Sequence, residues 1–172
     1  YVRTYDHPVL KELETEGISF TSFDHVYEEN EQFADVYEEI TNRLLRELEK
    51  QDLILYAVPG HPLVAESTVE RLLEKEKAGE VTIEIMGGQS FLDAVFTSLK
   101  MDPIEGFQLL DGTALREEQI QIRQHMVIAQ VYDTFIASEV KLTLMEKLPD
   151  DYRVTVLTSA GSDEEIMKTV PL

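Results

Sequence analysis

The 172-residue chain contains no cysteine and no tryptophan. Without cysteine there can be no disulfide framework, thiolate zinc site, iron–sulfur cluster or cysteine nucleophile. That fits a cytoplasmic protein, which is the location we expect. Long apolar runs are also missing, since none approaches the roughly eighteen residues that a membrane-spanning helix needs. Positive charge is scarce. Fifteen Lys and Arg stand against 34 Asp and Glu, a formal net charge of −19, so the basic face that nucleic-acid phosphates require is not expected. The same imbalance disfavours an anionic membrane surface. What is present is ordinary for a folded domain: 43% of residues are hydrophobic, enough to bury a core despite the charge. The chain starts at Tyr1 rather than Met and is expected to be a fragment of a longer protein.

Helical and strand patterns alternate along the sequence. His7 to Leu13 suggests a short helix, with Gly17 beyond it, and Ile18 to Phe20 a brief strand. Phe33, Val36, Tyr37, Ile40, Leu44, Leu45 and Leu48 follow helical spacing and predict an amphipathic helix from Phe33 to about Lys50. Leu53 to Val58 is a continuous apolar run, the pattern of a strand buried on both faces. It stops at Pro59-Gly60-His61-Pro62, which forbids regular structure, and a helix follows from about Ala65 to Lys77. Val81 to Ile85 reads as another strand. The first half is therefore expected to hold a βαβ unit in a parallel sheet.

Gly87-Gly88 is the best lobe boundary, dividing the chain into 1–86 and 87–172. Beyond it Ser90 is expected to cap a helix ending near Lys100. Strands are predicted at Phe107 to Leu110, Met126 to Tyr132 and Arg153 to Leu157, with a helix from Phe135 to Leu148. The expected class is α/β, two small lobes sharing a cleft.

The segment with most chemical content is Val58-Pro59-Gly60-His61-Pro62-Leu63-Val64-Ala65-Glu66. It leaves the carboxyl end of a predicted strand and enters a helix, the place where open α/β sheets bind ligands. Gly60 permits close backbone approach, the prolines stiffen the turn, and N–H groups near the helix start suit a polar ligand. On pattern alone a rigid βα connection without a ligand is about equally good.

Pro59-Gly60-His61-Pro62-Leu63-Val64 resembles the "GDP-hydrophobic" loop of the tetrapyrrole methylases, which include corrin and sirohaem methyltransferases and diphthine synthase. His7-Pro8-Val9, Gly88-Gln89-Ser90-Phe91-Leu92, Gln130-Val131-Tyr132-Asp133 and Ala160-Gly161 match further family motifs in order, so the resemblance spans nearly the whole chain. It is strongest to the methylase-like domain that precedes a MazG-type nucleotide pyrophosphohydrolase in some bacterial proteins. The resemblance implies S-adenosylmethionine bound in a cleft between two α/β lobes of a homodimer, with a small-molecule acceptor. Carried over by position, Gly60, His61, Pro62, Leu63 and Val64 would form the loop beside the cofactor. Ser90 and Phe91 would reach it from the second lobe, Tyr132 and Asp133 would close another side, and Ala160 would lie near the adenine. His61 stands where many members have Asp. The family's first strand and glycine-rich loop have no counterpart here, and a last element is expected to be missing as well. The resemblance assigns no catalytic residue.

Other chemistry is weaker. Glu28, Glu29, Glu31, Glu38 and Glu39 suggest a magnesium site, but Asp24 to Lys50 holds nine acidic and three basic residues and reads more simply as a solvated face. His7, His25, His61 and His125 lack zinc-binding spacing, so no metal is expected. No nucleophile elbow, P-loop or dinucleotide fingerprint is present. Two functions remain: an S-adenosylmethionine-dependent methyltransferase, or a non-catalytic sensing or dimerisation module fused to a pyrophosphohydrolase. A tetrapyrrole substrate is disfavoured, because its carboxylates would meet a strongly acidic chain.

Overall fold

Helix, extended segment and turn follow one another in the computed structural model, which describes residues 1–172. The chain divides into two units, Tyr1–Ser90 and Phe91–Leu172, so Gly87-Gly88-Gln89-Ser90 go with the first.

The first unit is built on helices α1 (Val9–Thr15), α2 (Asp24–Glu29), α3 (Phe33–Leu48) and α4 (Ser67–Lys77). Helix α3 follows its apolar spacing and buries Val36, Ile40, Thr41 and Leu44. The buried Thr41 hydroxyl is satisfied by the Tyr37 carbonyl at 2.7 Å. Phe23, Val26, Val36, Ile40 and Leu44 form the core, with Ile54, Tyr56 and Leu72 packed against it.

The expected βαβ unit does not form as a ladder. Sheet pairing in this unit is limited to two parallel bridges, Val2 with Ser22 and Val2 with Ala57. Tyr1 N donates to Leu55 O (2.7 Å), Ala57 N to Tyr1 O (2.9 Å) and Arg3 N to Ala57 O (2.9 Å), so three residues of one segment set the length of the pairing. The run Leu53 to Val58 is extended but not buried on both faces. Ile54 and Tyr56 meet the core, while Leu53 is 81% and Leu55 64% exposed, because helices cover one face of the run only. Val81 to Ile85 makes no strand either. The Ile83 N–H is taken by the Glu76 carboxylate at 2.7 Å instead of a neighbouring backbone carbonyl. The segment at Ile18 to Phe20 is likewise irregular.

The second unit holds true strands. Strand β1 (Phe107–Asp111) pairs in parallel with β2 (His125–Ala129), Leu109 opposite Val127. Strand β3 (Arg153–Thr158) pairs antiparallel with β4 (Ile166–Pro171), Thr155 opposite Thr169, as a separate two-stranded sheet. Helices α5 (Phe91–Leu99) and α6 (Thr134–Met145) complete the unit. Ile120, Val140, Leu144 and Leu148 form its core with Met126, Ile128 and Ile136. Strand β2 ends three residues before the sequence predicts, where Gln130 takes a left-handed φ of 61°. Strand β4 was not anticipated; its six residues are all exposed, so no alternating burial marks it.

Candidate functional site

The Pro59–Val64 loop runs from the extended segment at Ala57 into α4. Its turn depends on Gly60, whose φ of 77° is left-handed and strained for any side chain. A Cβ at Gly60 would sit 3.8 Å from Gln89 O, and one at Gly88 would sit 3.6 Å from Gly60 O. The loop therefore lies against Gly87-Gly88-Gln89, with the His61 ring over Gly87. Ser90 follows directly in the chain and is partly buried. Gly60 and His61 of the predicted loop are thus packed on a second glycine-containing segment of the same unit, while Leu63 is exposed.

Two bonds fix the loop internally. Leu63 N donates to His61 Nδ1 at 3.1 Å, and Val64 N donates to His61 O at 3.0 Å. With Nδ1 accepting, the neutral imidazole carries its proton on Nε2. An Asp here would accept the same bond through a carboxylate oxygen, as in an Asx-turn, so His61 preserves the turn by different chemistry. The N–H groups of Gly60 and His61 make no hydrogen bond within the chain. These donors, on a glycine-opened and proline-stiffened turn, are the arrangement a polar ligand needs for backbone recognition.

Beyond the loop lies a buried polar cluster the sequence did not single out. Glu66 has a side chain only 3% exposed, and its Oε2 accepts from Arg3 Nη1 at 2.9 Å. Glu66 Oε1, Tyr56 Oη and Thr68 Oγ1 are buried without an aligned partner, although Thr68 lies close enough to Tyr56 to act on its phenol. Burial pushes the Glu66 carboxyl above its ordinary range, and Arg3 offsets this in part. The Tyr27 phenol is pushed up to about 12, chiefly by burial, with Arg3 opposing and the Glu66 charge adding. One signal existed in the sequence: a Glu directly before an amphipathic helix, where Ser, Thr, Asp or Asn is the usual cap.

The remaining predicted residues belong mainly to the second unit. Phe91 opens α5 and is exposed. Ala160 sits in the turn after β3. The next residue, Gly161, packs so closely that a Cβ there would stand 2.9 Å from the Ala94 Cβ on α5. Glu165 holds that turn, accepting from Gly161 N at 2.8 Å and Ser98 Oγ at 2.6 Å, which lowers its pKa. The turn that carries Ala160 thus packs on α5 at Ala94 and Ser98. Tyr132 is 60% exposed beyond β2, and Asp133 caps α6 by accepting from Ile136 N at 2.7 Å. The carboxylate of Asp133 therefore has a structural duty that sequence matching to a cofactor motif does not reveal.

Part of the acidic stretch on α2 and α3 is paired with cations of α3 itself. Arg43 binds Glu39 (2.6 Å), Glu29 (3.1 Å) and the His25 ring, beside an open hollow of about 510 Å³. Its acidic side chains face a resident guanidinium, which fits the solvated-face reading.

Comparison with known proteins gives this geometry its context. The chain is 53% identical over 172 residues to the uncharacterised protein YabN of Bacillus subtilis (strain 168), covering all of this chain and 35% of that protein. It thus spans about a third of the relative's length. Among solved structures it is similar to diphthine synthase, with a TM-score of 0.61 at 20% identity over 99% of this chain and 70% of that one. That likeness establishes an α/β fold of the methylase type. Residues 1–172 match the family described as tetrapyrrole (corrin/porphyrin) methylases, and the chain belongs to that family.

Proposed function

We propose that the domain binds S-adenosylmethionine through the backbone of the Pro59–Val64 loop and transfers its methyl group to a small acceptor. The observation that carries this reading is the loop itself. A positive-φ glycine and two unpaired N–H groups sit between prolines, in a chain of the methylase family. Ser90, Phe91, Tyr132, Asp133 and Ala160 are the further cofactor contacts in this reading. The cofactor's sulfonium supplies an electrophilic methyl group, so the chain has to bind, orient and exclude water more than exchange protons. That suits a loop with no acid–base pair. The −19 charge favours a cationic cofactor over a polycarboxylate tetrapyrrole, a preference that salt screens beyond roughly 8 Å.

A second reading has its own support. The chain spans 35% of its Bacillus relative, which leaves room for another activity in the longer protein. Here the domain would be a non-catalytic, S-adenosylmethionine-sensing or dimerising module, fused to a MazG-type nucleotide pyrophosphohydrolase. A homodimer and a cytoplasmic location belong to both readings. No helix is long and apolar enough to cross a membrane.

Calorimetry of the full-length protein with S-adenosylmethionine and S-adenosylhomocysteine separates these possibilities. Binding of both, with methyl transfer to an acceptor pool, supports the enzyme. Binding without turnover supports the sensor, and no binding by either overturns the cofactor reading.

A further inference from the structure

Both ends of the Pro59–Val64 loop are tied to one residue. Before the loop, Ala57 is held by the backbone of the first segment, through Ala57 N to Tyr1 O and Arg3 N to Ala57 O, each 2.9 Å. After it, Glu66 is held by the Arg3 side chain at 2.9 Å. Between them Ala65, which is not glycine, takes a φ of 54°. Such a residue is strained and persists only where its surroundings hold it. Glu66 is its next neighbour.

Glu66 does not act as a helix cap. It occupies the residue before α4, yet its side chain makes no cap hydrogen bond and turns to Arg3 instead. Oε1 is buried without a partner, and the cost of burial outweighs the attraction of Arg3. What a buried pair of this kind supplies is geometry.

We propose that Arg3 and Glu66 form a clamp that closes the loop ends on each other. Glu66 is then the positioning residue that holds the Gly60 and His61 backbone ready for a ligand, an inference that rests on the cofactor reading of this loop. Arg3 provides the shared anchor, since its backbone fixes the start of the loop and its guanidinium the end. Removing either charge frees Ala65 to leave its strained conformation, and the loop amides then sample open states.

The test uses Glu66→Gln and Arg3→Met in the full-length protein. Amide exchange is followed by NMR without ligand, and S-adenosylmethionine affinity by calorimetry. Glu66→Gln is expected to speed exchange at Leu63 and Val64 by about tenfold and to leave exchange at Ile40 and Leu44 in α3 no faster than in the wild type. Cofactor affinity should fall about tenfold in each single variant, and the double variant should be no worse than either. A merely structural pair would instead raise exchange throughout the unit, an outcome that overturns the clamp. Unchanged loop exchange and affinity in both variants would also overturn it. If the loop responds as expected but the wild-type protein binds no cofactor, the clamp stands and the cofactor reading fails. If the wild type binds and both variants bind equally, the reverse holds.

Discussion

The two units solve the same problem with different materials. In Tyr1–Ser90, a sixteen-residue amphipathic helix and its neighbours bury Val26, Val36 and Ile40 almost completely, while the sheet amounts to two bridges around Val2. In Phe91–Leu172, two strand pairs have full registers, but the core residues keep 3–9% exposure and many apolar side chains face outward. Helical hydrogen bonds are local, so α3 forms wherever its apolar stripe meets a surface. Strand pairing needs a partner of matching length, and a partner three residues long gives bridges only. The loop of greatest chemical interest leaves the more sparsely paired segment. Its geometry must then come from turns, glycine and side-chain anchors rather than from a ladder.

The comparison breaks most visibly at the cores. Ile40→Ala in the tighter core should cost about 3–5 kcal/mol and Leu144→Ala in the looser one about 2–3, as large-to-small changes cost more where the site cannot collapse. Denaturant unfolding of each variant checks the ranking; equal losses would contradict it. Gly112→Val in the second unit comes next. A Cβ there would stand 2.7 Å from Val131 Cγ2 and 2.9 Å from the Ala129 carbonyl, so about 1–3 kcal/mol of overpacking is expected in the same assay. Gly60→Val asks the opposite kind of question. Space is available there but the backbone is not, so about 1–2 kcal/mol of strain should accompany loss of cofactor binding. Normal binding by a folded Gly60→Val protein would move the site elsewhere.

Smaller effects sharpen the contrast. Asp133→Ala should lose about 1 kcal/mol through its cap on α6. A loss of cofactor affinity larger than that would give Asp133 a second duty. Two carboxylates of the first unit should then show opposite pH behaviour. Glu66 has a raised pKa, so its contribution to stability is full below the ordinary carboxylate range and is lost as pH rises through the folded value. Glu66→Gln should therefore be as stable as wild type in acid and gain on it toward neutrality. For Asp24, burial raises the pKa, but bonds from Thr4, Ser22 and the Tyr5 N–H lower it on balance. Its contribution is present above the ordinary carboxylate range and is lost as pH falls through the folded value. Asp24→Asn should thus be weaker near neutrality and converge with wild type in acid. Thermal melts from pH 3 to pH 7 would reveal a mistake if the two difference curves ran in the same direction.

Periodicity made α3 legible, whereas the six-residue α2 is too short to show a repeat and was not predicted. The spacing of Val36, Ile40 and Leu44 alone puts one face of α3 in the core, since side chains three and four apart share a face whatever they pack against. The glycine-proline turn at 59–62 was legible for a similarly local reason, because proline fixes its own φ and glycine admits the left-handed one. The extended runs were not. Leu53 to Val58 has the composition of a doubly buried strand, yet what covers its second face is a property of other parts of the chain. Likewise, apolar content cannot show that Ile83 will spend its N–H on Glu76.

The site divides along the same line. The sequence by itself determined where the glycine-proline turn stands and that His61, placed two residues before the Leu63 N–H, can close it. Only the tertiary structure decided that Gly87 to Gln89 lie against the loop. It also decided that Glu66 finds Arg3 across 63 residues of chain. Local conformational preferences are written residue by residue. Which distant charge meets which buried carboxylate depends on burial and packing, and no local pattern records either.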